Sequence, residues 1–126
     1  MMGKKIISYC LWGHDRKYTV GAIRNAESIA EGSLFYGWVG RFYCDNTAPT
    51  EVMERLRDLG MEVYLVDRAG DWSFTVERFK AMDDADLCIF RDCDSRLSKR
   101  ELDAVQAWID SDKKLHAMKD HPYHGQ

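Results

Sequence analysis

The sequence lacks a long apolar run and a large excess of charge, and these absences exclude several classes of protein. No segment approaches the roughly 18 consecutive apolar residues that a membrane-spanning helix needs. The formal net charge is −3, so no overall field draws the chain towards nucleic acid. Neither a Gly-x-Gly-x-x-Gly motif nor a P-loop is present, which argues against the common dinucleotide-binding and ATPase sites.

Cysteine is scarce, and its spacing argues against a zinc site. The four cysteines, Cys10, Cys44, Cys88 and Cys93, include no Cys-x-x-Cys pair. Most of them lie in apolar, strand-like runs, where a thiol behaves as a small buried hydrophobe. We therefore expect free thiols in a reducing compartment. Because the first residues carry neither a long apolar segment nor a small-residue cleavage site, we expect a cytoplasmic protein.

The sequence does contain enough apolar residues for one core, arranged in alternating strand and helix patterns. Its 126 residues, 45% of them hydrophobic, predict a single domain over residues 1–126. Strands are predicted at residues 6–12, 38–43, 61–66 and 87–90, with a short fifth strand at 115–118. Between the strands, apolar residues recur at helical spacing, as at Val76, Phe79 and Met82. A capping box at Ser98 and Glu101 predicts the start of the last helix. This order predicts a three-layer α/β fold whose mainly parallel sheet binds ligands beyond the carboxyl ends of its strands.

Asp92 and Asp94 form an Asp-x-Asp motif directly after the fourth predicted strand. Two carboxylates one residue apart at the end of a strand can reach a common cation, and oxygen ligands suit Mg²⁺ or Mn²⁺. A cation there would reverse the repulsion between these acids and a diphosphate, which for charges about 4 Å apart is ~1 kcal/mol in water and ~4 kcal/mol at an effective dielectric of about 20. The alternative is that both are solvated turn residues or helix caps.

Basic residues surround this motif. Arg91 and Arg96 flank the two acids, and Lys99 and Arg100 follow shortly after. Cations in such positions keep a carboxylate pair ionised and can contact phosphate oxygens. We expect Arg91 and Arg96 to contribute to a phosphate site, whereas a solvated helix face is the simpler interpretation of Lys99 and Arg100.

The residues around the motif resemble a known family. Residues 90–96 read Phe-Arg-Asp-Cys-Asp-Ser-Arg and residues 119–124 read Lys-Asp-His-Pro-Tyr-His. They are similar to the Arg-Asp-x-Asp-Ser-Arg signature and the later Asp-His-Pro-x-His run of a glycosyltransferase-like family of nucleotide-diphospho-sugar transferases. Residues 8–13, with Tyr18, Gly21 and Ala22, resemble the first strand and first helix of that family. The resemblance covers nearly the whole chain.

This resemblance implies a GT-A fold, a three-layer α/β/α, Rossmann-like fold that binds a nucleotide-diphospho-sugar. In that fold the two acids bind Mn²⁺ or Mg²⁺ together with the diphosphate, and the loop after the first strand contacts the nucleoside. By position, the resemblance places Leu11, Trp12 and Gly13 near the base and ribose. For Trp12, stacking on a base and an ordinary core position are both open.

The last residues supply further candidates that the resemblance suggests. His121 or His124 would serve as a third metal ligand, or else belong to a polar tail, and Asp120 is the nearest candidate for a catalytic base. In that family the acceptor-binding half follows this region, so the fold is expected to be truncated before the acceptor half. We therefore expect weak transfer by a monomer and self-association into a homo-oligomer.

The expected function is that of a metal-dependent glycosyltransferase acting on an unknown acceptor, and the alternative is a non-catalytic, metal-dependent nucleotide-sugar-binding module. Two other folds with an acidic motif after a strand fit less well. A haloacid-dehalogenase-like phosphohydrolase carries its nucleophilic Asp on the first strand and needs further groups far downstream, and a motif at residue 92 of 126 leaves little room for them. A response-regulator receiver needs an acidic pair after the first strand, and residues 6–13 offer none.

Overall fold

A four-stranded sheet forms the centre of the computed structural model, which describes residues 4–32, 34–67 and 72–111. In chain order the strands are β1 Lys5–Leu11, β2 Val39–Cys44, β3 Glu62–Leu65 and β4 Leu87–Phe90. They lie in the order β3-β2-β1-β4, and every pairing between them is parallel. The predicted parallel strands are therefore confirmed, with ends that shift by one residue in β1, β2 and β3.

The helices of the described residues lie on both faces of this sheet. They are α1 Arg16–Glu31, α2 Thr50–Asp58, a 3₁₀ helix Trp72–Asp83 and α3 Lys99–Asp110. Helices α1 and α2 each connect a strand to its neighbour, whereas the 3₁₀ helix returns from the edge strand β3 to β4, on the far side of β1. Because crossovers between parallel strands are right-handed, this reversal of direction places the 3₁₀ helix on the opposite face from α1 and α2.

Alternate residues of β1 enter two apolar clusters, one on each face. Ile7, Tyr9 and Leu11 pack with residues of α1, α2 and α3 in the larger cluster. Ile6 and Cys10 pack with the 3₁₀ helix in the smaller one. Burial on both faces is the reason why β1 is a nearly continuous apolar run. The α/β class and the parallel sheet are thus confirmed and compatible with a Rossmann-like fold, while the GT-A assignment stays a prediction.

The third predicted helix is present as the 3₁₀ helix, but its apolar stripe faces outwards. With three residues per turn, side chains three positions apart align on one face. Val76, Phe79 and Met82 form that face and are 54%, 43% and 60% exposed, whereas Phe74 and Ala81 are fully buried. The spacing therefore predicted the helix without identifying its buried side.

A buried arginine ties the end of the 3₁₀ helix to β2. The guanidinium of Arg41 donates to both carboxylate oxygens of Asp84, at 2.7 and 2.8 Å, and its Nε donates to Glu62 at 2.7 Å. Arg41 is 1% exposed, and its hydrogen bonds hold the pKa of Asp84 below the ordinary value. These contacts lie at the amino edge of the sheet, because Asp84 precedes β4 and Glu62 begins β3.

The helix ends follow the cues in the sequence. Asp15 caps α1 by accepting a hydrogen bond from the Lys17 amide at 2.9 Å, and Gly32 ends the helix in a left-handed conformation. Ser98 caps α3 by accepting from the Glu101 amide at 3.2 Å, which confirms the predicted capping box in part. The predicted strand at residues 115–118 lies outside the described residues. Within residues 4–32, 34–67 and 72–111, no helix combines the length and apolarity needed to cross a membrane.

The thiols provide a test of this burial. Cys10, Cys44 and Cys93 are buried, Cys88 is half-buried, and none of the four forms a disulfide in the described part of the chain. Burial raises the pKa of Cys10, Cys44 and Cys88 to about 12, and that of Cys93 well above its ordinary value. Since the thiolate is the reactive form, we expect iodoacetamide to modify the native protein slowly at mildly alkaline pH, with Cys88 modified first. Peptide mass spectrometry measures the order, with urea-unfolded protein as the fast control, and rapid native modification of Cys93 would contradict this packing.

Candidate functional site

The strand order changes direction between β1 and β4, and the loops after these two strands leave the sheet side by side. Residues 12–15 follow β1 and residues 91–98 follow β4, both at the carboxyl edge. In open parallel α/β sheets the crevice at such a switch point is where ligands bind. The predicted site residues of both loops therefore share one edge of the sheet.

Helix α1 lies directly against the backbone that carries the Asp-x-Asp motif. A Cβ atom on Gly21 would overlap the carbonyl oxygen of Cys93 and lie 2.9 Å from its carbonyl carbon. Asn25, one helical turn further on and fully buried, donates from Nδ2 to the carbonyls of Cys93 at 3.3 Å and Ser95 at 2.8 Å. Its Oδ1 accepts from the Leu97 amide at 3.2 Å. The absence of a side chain at Gly21 thus allows the helix to approach the loop closely, and the buried amide of Asn25 holds the loop by hydrogen bonds.

Cys93 is the buried residue between the two acids. It is 1% exposed, and its Sγ donates to the carbonyl oxygen of Cys10 on β1 at 3.2 Å. The side chains of Asp92 and Asp94 remain 39% and 26% exposed. Because the middle residue is anchored in the core, both carboxylates are held at the surface of the same loop.

Each carboxylate of the motif has a cationic partner from a different element. Arg78 of the 3₁₀ helix donates from Nη1 to Asp92 Oδ1 at 2.8 Å. Lys17, in the first turn of α1, lies with its Nζ 3.7 Å from Asp94 Oδ2 and is 62% exposed. Neither cation was predicted from the sequence as a site residue. Lys17 follows the β1 loop closely enough to have been suspected, but nothing in the spacing of the sequence marks Arg78.

The two arginines that were predicted to bind phosphate have different positions. Arg91 is 2% exposed, and its Nη2 lies 2.6 Å from Glu101 Oε2 in α3. Burial raises the pKa of Glu101, although the charge of Arg91 opposes that rise. Arg96 is exposed, and its guanidinium lies beside Gly21 on α1. A phosphate contact by either arginine stays a prediction, and for Arg91 it would require the buried guanidinium to become accessible.

The loop after β1 is joined to the loop after β2. Gly13 has a φ of +75°, a conformation that favours glycine, and its amide donates to Thr47 Oγ1 at 2.7 Å. The carboxylate of Asp45 is buried and accepts from the Thr47 and Ala48 amides, both at 3.0 Å. Leu11 is fully buried, and its carbonyl accepts from the Asp45 amide at 3.1 Å. Asp45 therefore organises this loop pair, a role that the sequence analysis did not assign.

Trp12 is half-buried at the rim of this edge. Its ring lies nearly parallel to Tyr18, with centroids 6.3 Å apart, and meets the edge of Phe74 at 6.2 Å. It thus packs against the smaller apolar cluster while part of the side chain stays accessible. Contact of Trp12 or of the Gly13 backbone with a base stays a prediction.

The donor chemistry fits a hard divalent cation held by two carboxylates. Across the described ranges, no group of three or more His, Cys, Asp or Glu side chains is arranged to hold a metal. Mg²⁺ in proteins is commonly bound by one or two carboxylates and completes its shell with water and substrate phosphates. Asp92 and Asp94 supply that set. His121, His124 and Asp120 lie outside the described residues, so a third ligand or a base from them stays a prediction.

Comparison with known proteins does not assign a family. No protein-family model matches the chain, and no curated protein matches it either. The function is therefore inferred from the geometry of this site and from the motif itself.

The approach of α1 to the motif loop predicts an unusual response to Gly21→Ala. In an ordinary helix position this change would stabilise the protein by up to about 1 kcal/mol. Here the new methyl group overlaps the Cys93 carbonyl, so we expect destabilisation by about 1–3 kcal/mol, measured by urea unfolding. Ala30→Gly, at an exposed position of the same helix, is the control, because it measures the difference in helix propensity between alanine and glycine without a steric contact. A Gly21→Ala protein at least as stable as wild type would contradict the close approach.

Replacing the buried amide should loosen the same loop. Asn25→Ala leaves two carbonyls and one amide of the loop without their partner, and we expect a cost of about 2–3 kcal/mol. Hydrogen exchange adds a local readout, since the Leu97 amide donates to Asn25 and should exchange faster in the variant. Ser28→Ala, which removes an exposed bond to the Arg24 carbonyl in the same helix, is the control. Unchanged exchange at Leu97 would show that Asn25 does not hold the loop.

Proposed function

We propose that this chain binds a nucleotide-diphospho-sugar through a divalent cation, Mn²⁺ or Mg²⁺, held by Asp92 and Asp94. The observation that carries the proposal is the pair of half-exposed carboxylates on a loop fixed by α1, at the switch point of a parallel sheet. The donors are oxygens, as these cations prefer. The crevice is the position at which such sheets bind ligands.

The surrounding residues support a phosphate ligand at this place. A cation on the two acids would supply positive charge next to a diphosphate and stabilise it as a leaving group. Lys17 and Arg96 are exposed beside the motif and carry charge of the sign that attracts phosphate. The Gly13 backbone has open space where a side chain would be, which suits close approach by a nucleoside.

The proposal includes transfer of the sugar to an acceptor, with a binding module as the alternative. The carboxylates that the described residues place on the loops at this edge are all engaged, namely Asp15, Asp45, Asp67, Asp92 and Asp94. A carboxylate has two oxygens and about four acceptor sites, so these contacts leave room for a proton, and none of the five is singled out as a general base. Assays of sugar hydrolysis and of transfer, with a panel of acceptors, separate the two.

Thermal shifts with UDP-, GDP-, ADP- and dTDP-sugars, each with and without MnCl₂, test the binding itself. We expect at least one sugar nucleotide to stabilise the protein when Mn²⁺ is present, and to lose most of that effect when Mn²⁺ is absent. Stabilisation follows directly from binding to the folded state. No shift across the panel would contradict the proposed function.

The role of the second acid is tested by Asp94→Asn. The change removes a cation ligand at constant size, so we expect Mn²⁺-dependent binding of the selected sugar nucleotide to weaken by about tenfold or more. Stability should change by less than about 0.5 kcal/mol, because the carboxylate lies in a partly exposed loop with one weak partner. Asp58→Asn, an exposed position at the end of α2, is the control, and both variants are measured by calorimetry. Equal affinity in Asp94→Asn and wild type would remove Asp94 from the site.

A further inference from the structure

Arg78 is held at the site by contacts at both its backbone and its side chain. Its carbonyl accepts a hydrogen bond from Ser8 Oγ of β1 at 2.7 Å. Its Nη1 donates to Asp92 Oδ1 at 2.8 Å and to the Arg91 carbonyl at 3.1 Å. The side chain is 18% exposed, and it comes from the 3₁₀ helix, which packs on the face of the sheet opposite α1.

The guanidinium of Arg78 retains unused donors at this position. Arginine carries five N–H donors in a planar fork. Nη1 makes the two bonds to the motif loop, while Nε is buried without a hydrogen-bond partner in the described part of the chain. Because Nε is buried, a phosphate oxygen would bond to the terminal Nη groups, one of which is released when a cation takes its place on Asp92. Phosphate oxygens match the fork geometry of arginine.

A divalent cation and Arg78 compete for the same carboxylate. A cation that bound Asp92 without a diphosphate would lie next to the positive guanidinium of Arg78, and the two positive charges would repel each other. A diphosphate removes this conflict, because its oxygens can contact the cation and the guanidinium together. Arg78 therefore opposes binding of the cation alone and favours binding of the cation with a diphosphate.

We propose that Arg78 is a phosphate-binding residue that rests on Asp92 until a cation arrives, and that it thereby makes cation binding and diphosphate binding cooperative. This inference rests on the proposed function, since it uses the same cation site. It adds a residue from the 3₁₀ helix to the site. It also adds a coupling between the two ligands. By thermodynamic linkage, the cation raises the affinity for the diphosphate by the same factor as the diphosphate raises the affinity for the cation.

The test compares wild type with Arg78→Met and Arg78→Lys. Mn²⁺ binding alone is measured by the electron paramagnetic resonance signal of free Mn²⁺. Inorganic pyrophosphate, which carries the diphosphate without a base or sugar, is titrated by calorimetry in saturating Mn²⁺. Arg24→Met removes an arginine that is 64% exposed and paired with Glu27 on α1, and it serves as the control.

We expect Arg78→Met to change the two affinities in opposite directions. Mn²⁺ alone should bind about threefold tighter or more, because a neighbouring positive charge is gone. Pyrophosphate should bind about tenfold weaker or more, because a charge-assisted hydrogen bond is lost. Arg78→Lys, which keeps the charge but not the fork, should hold Mn²⁺ near the wild-type affinity and weaken pyrophosphate. A misfolded variant would lose both affinities, so a gain for Mn²⁺ cannot arise from misfolding.

Three results would overturn this inference while leaving the proposed function intact. The first is an Arg78→Met protein in which both affinities fall together, which would make Arg78 a structural residue. The second is unchanged pyrophosphate binding in that variant. If the wild-type protein binds a sugar nucleotide with Mn²⁺ but not pyrophosphate, the inference also fails alone. If no sugar nucleotide binds with Mn²⁺, the proposed function fails and this inference fails with it.

Discussion

The contact between helix α1 and loop 91–98 determines how the carboxyl edge of the sheet is built. The helix can touch the loop backbone because position 21 has no side chain, and the buried amide of Asn25 then bonds to three backbone groups of that loop. Since α1 also packs on β1 in the larger apolar cluster, the position of Asp92 and Asp94 is tied to the core. A motif that is fixed in this way can present two like charges side by side without relying on a ligand to order the loop.

The same constraint determines which cations reach the acids. With Cys93 anchored inwards, Lys17 approaches from the α1 side and Arg78 from the 3₁₀ helix. The 3₁₀ helix is itself fixed at its far end, where Arg41 binds Asp84 through two hydrogen bonds. The Arg78 guanidinium is therefore placed by contacts at both edges of the sheet. Each of the two acids is therefore paired with a basic side chain that a divalent cation would displace.

Features carried by local patterns could be predicted from the sequence, and features carried by tertiary packing could not. The apolar run of β1, the motif after β4 and the cap at Ser98 depend on neighbouring residues, and the structure contains all three. Asn25 has the same appearance in the sequence as any polar residue on a helix, since its partners are about 70 positions away. The position of Arg78 on the 3₁₀ helix could not be predicted for the same reason, and neither could the burial of Arg91 against Glu101 of α3.

Crystals grown with MnCl₂ and a nucleoside diphosphate would show, through the anomalous scattering of manganese, whether Asp92 and Asp94 hold the cation together. We expect one anomalous peak within coordination distance of carboxylate oxygens of both Asp92 and Asp94, with diphosphate oxygens completing the shell. A nucleotide bound at another edge of the sheet would contradict it. So would a manganese peak remote from loop 91–98, with Arg78 and Lys17 still paired to the two acids.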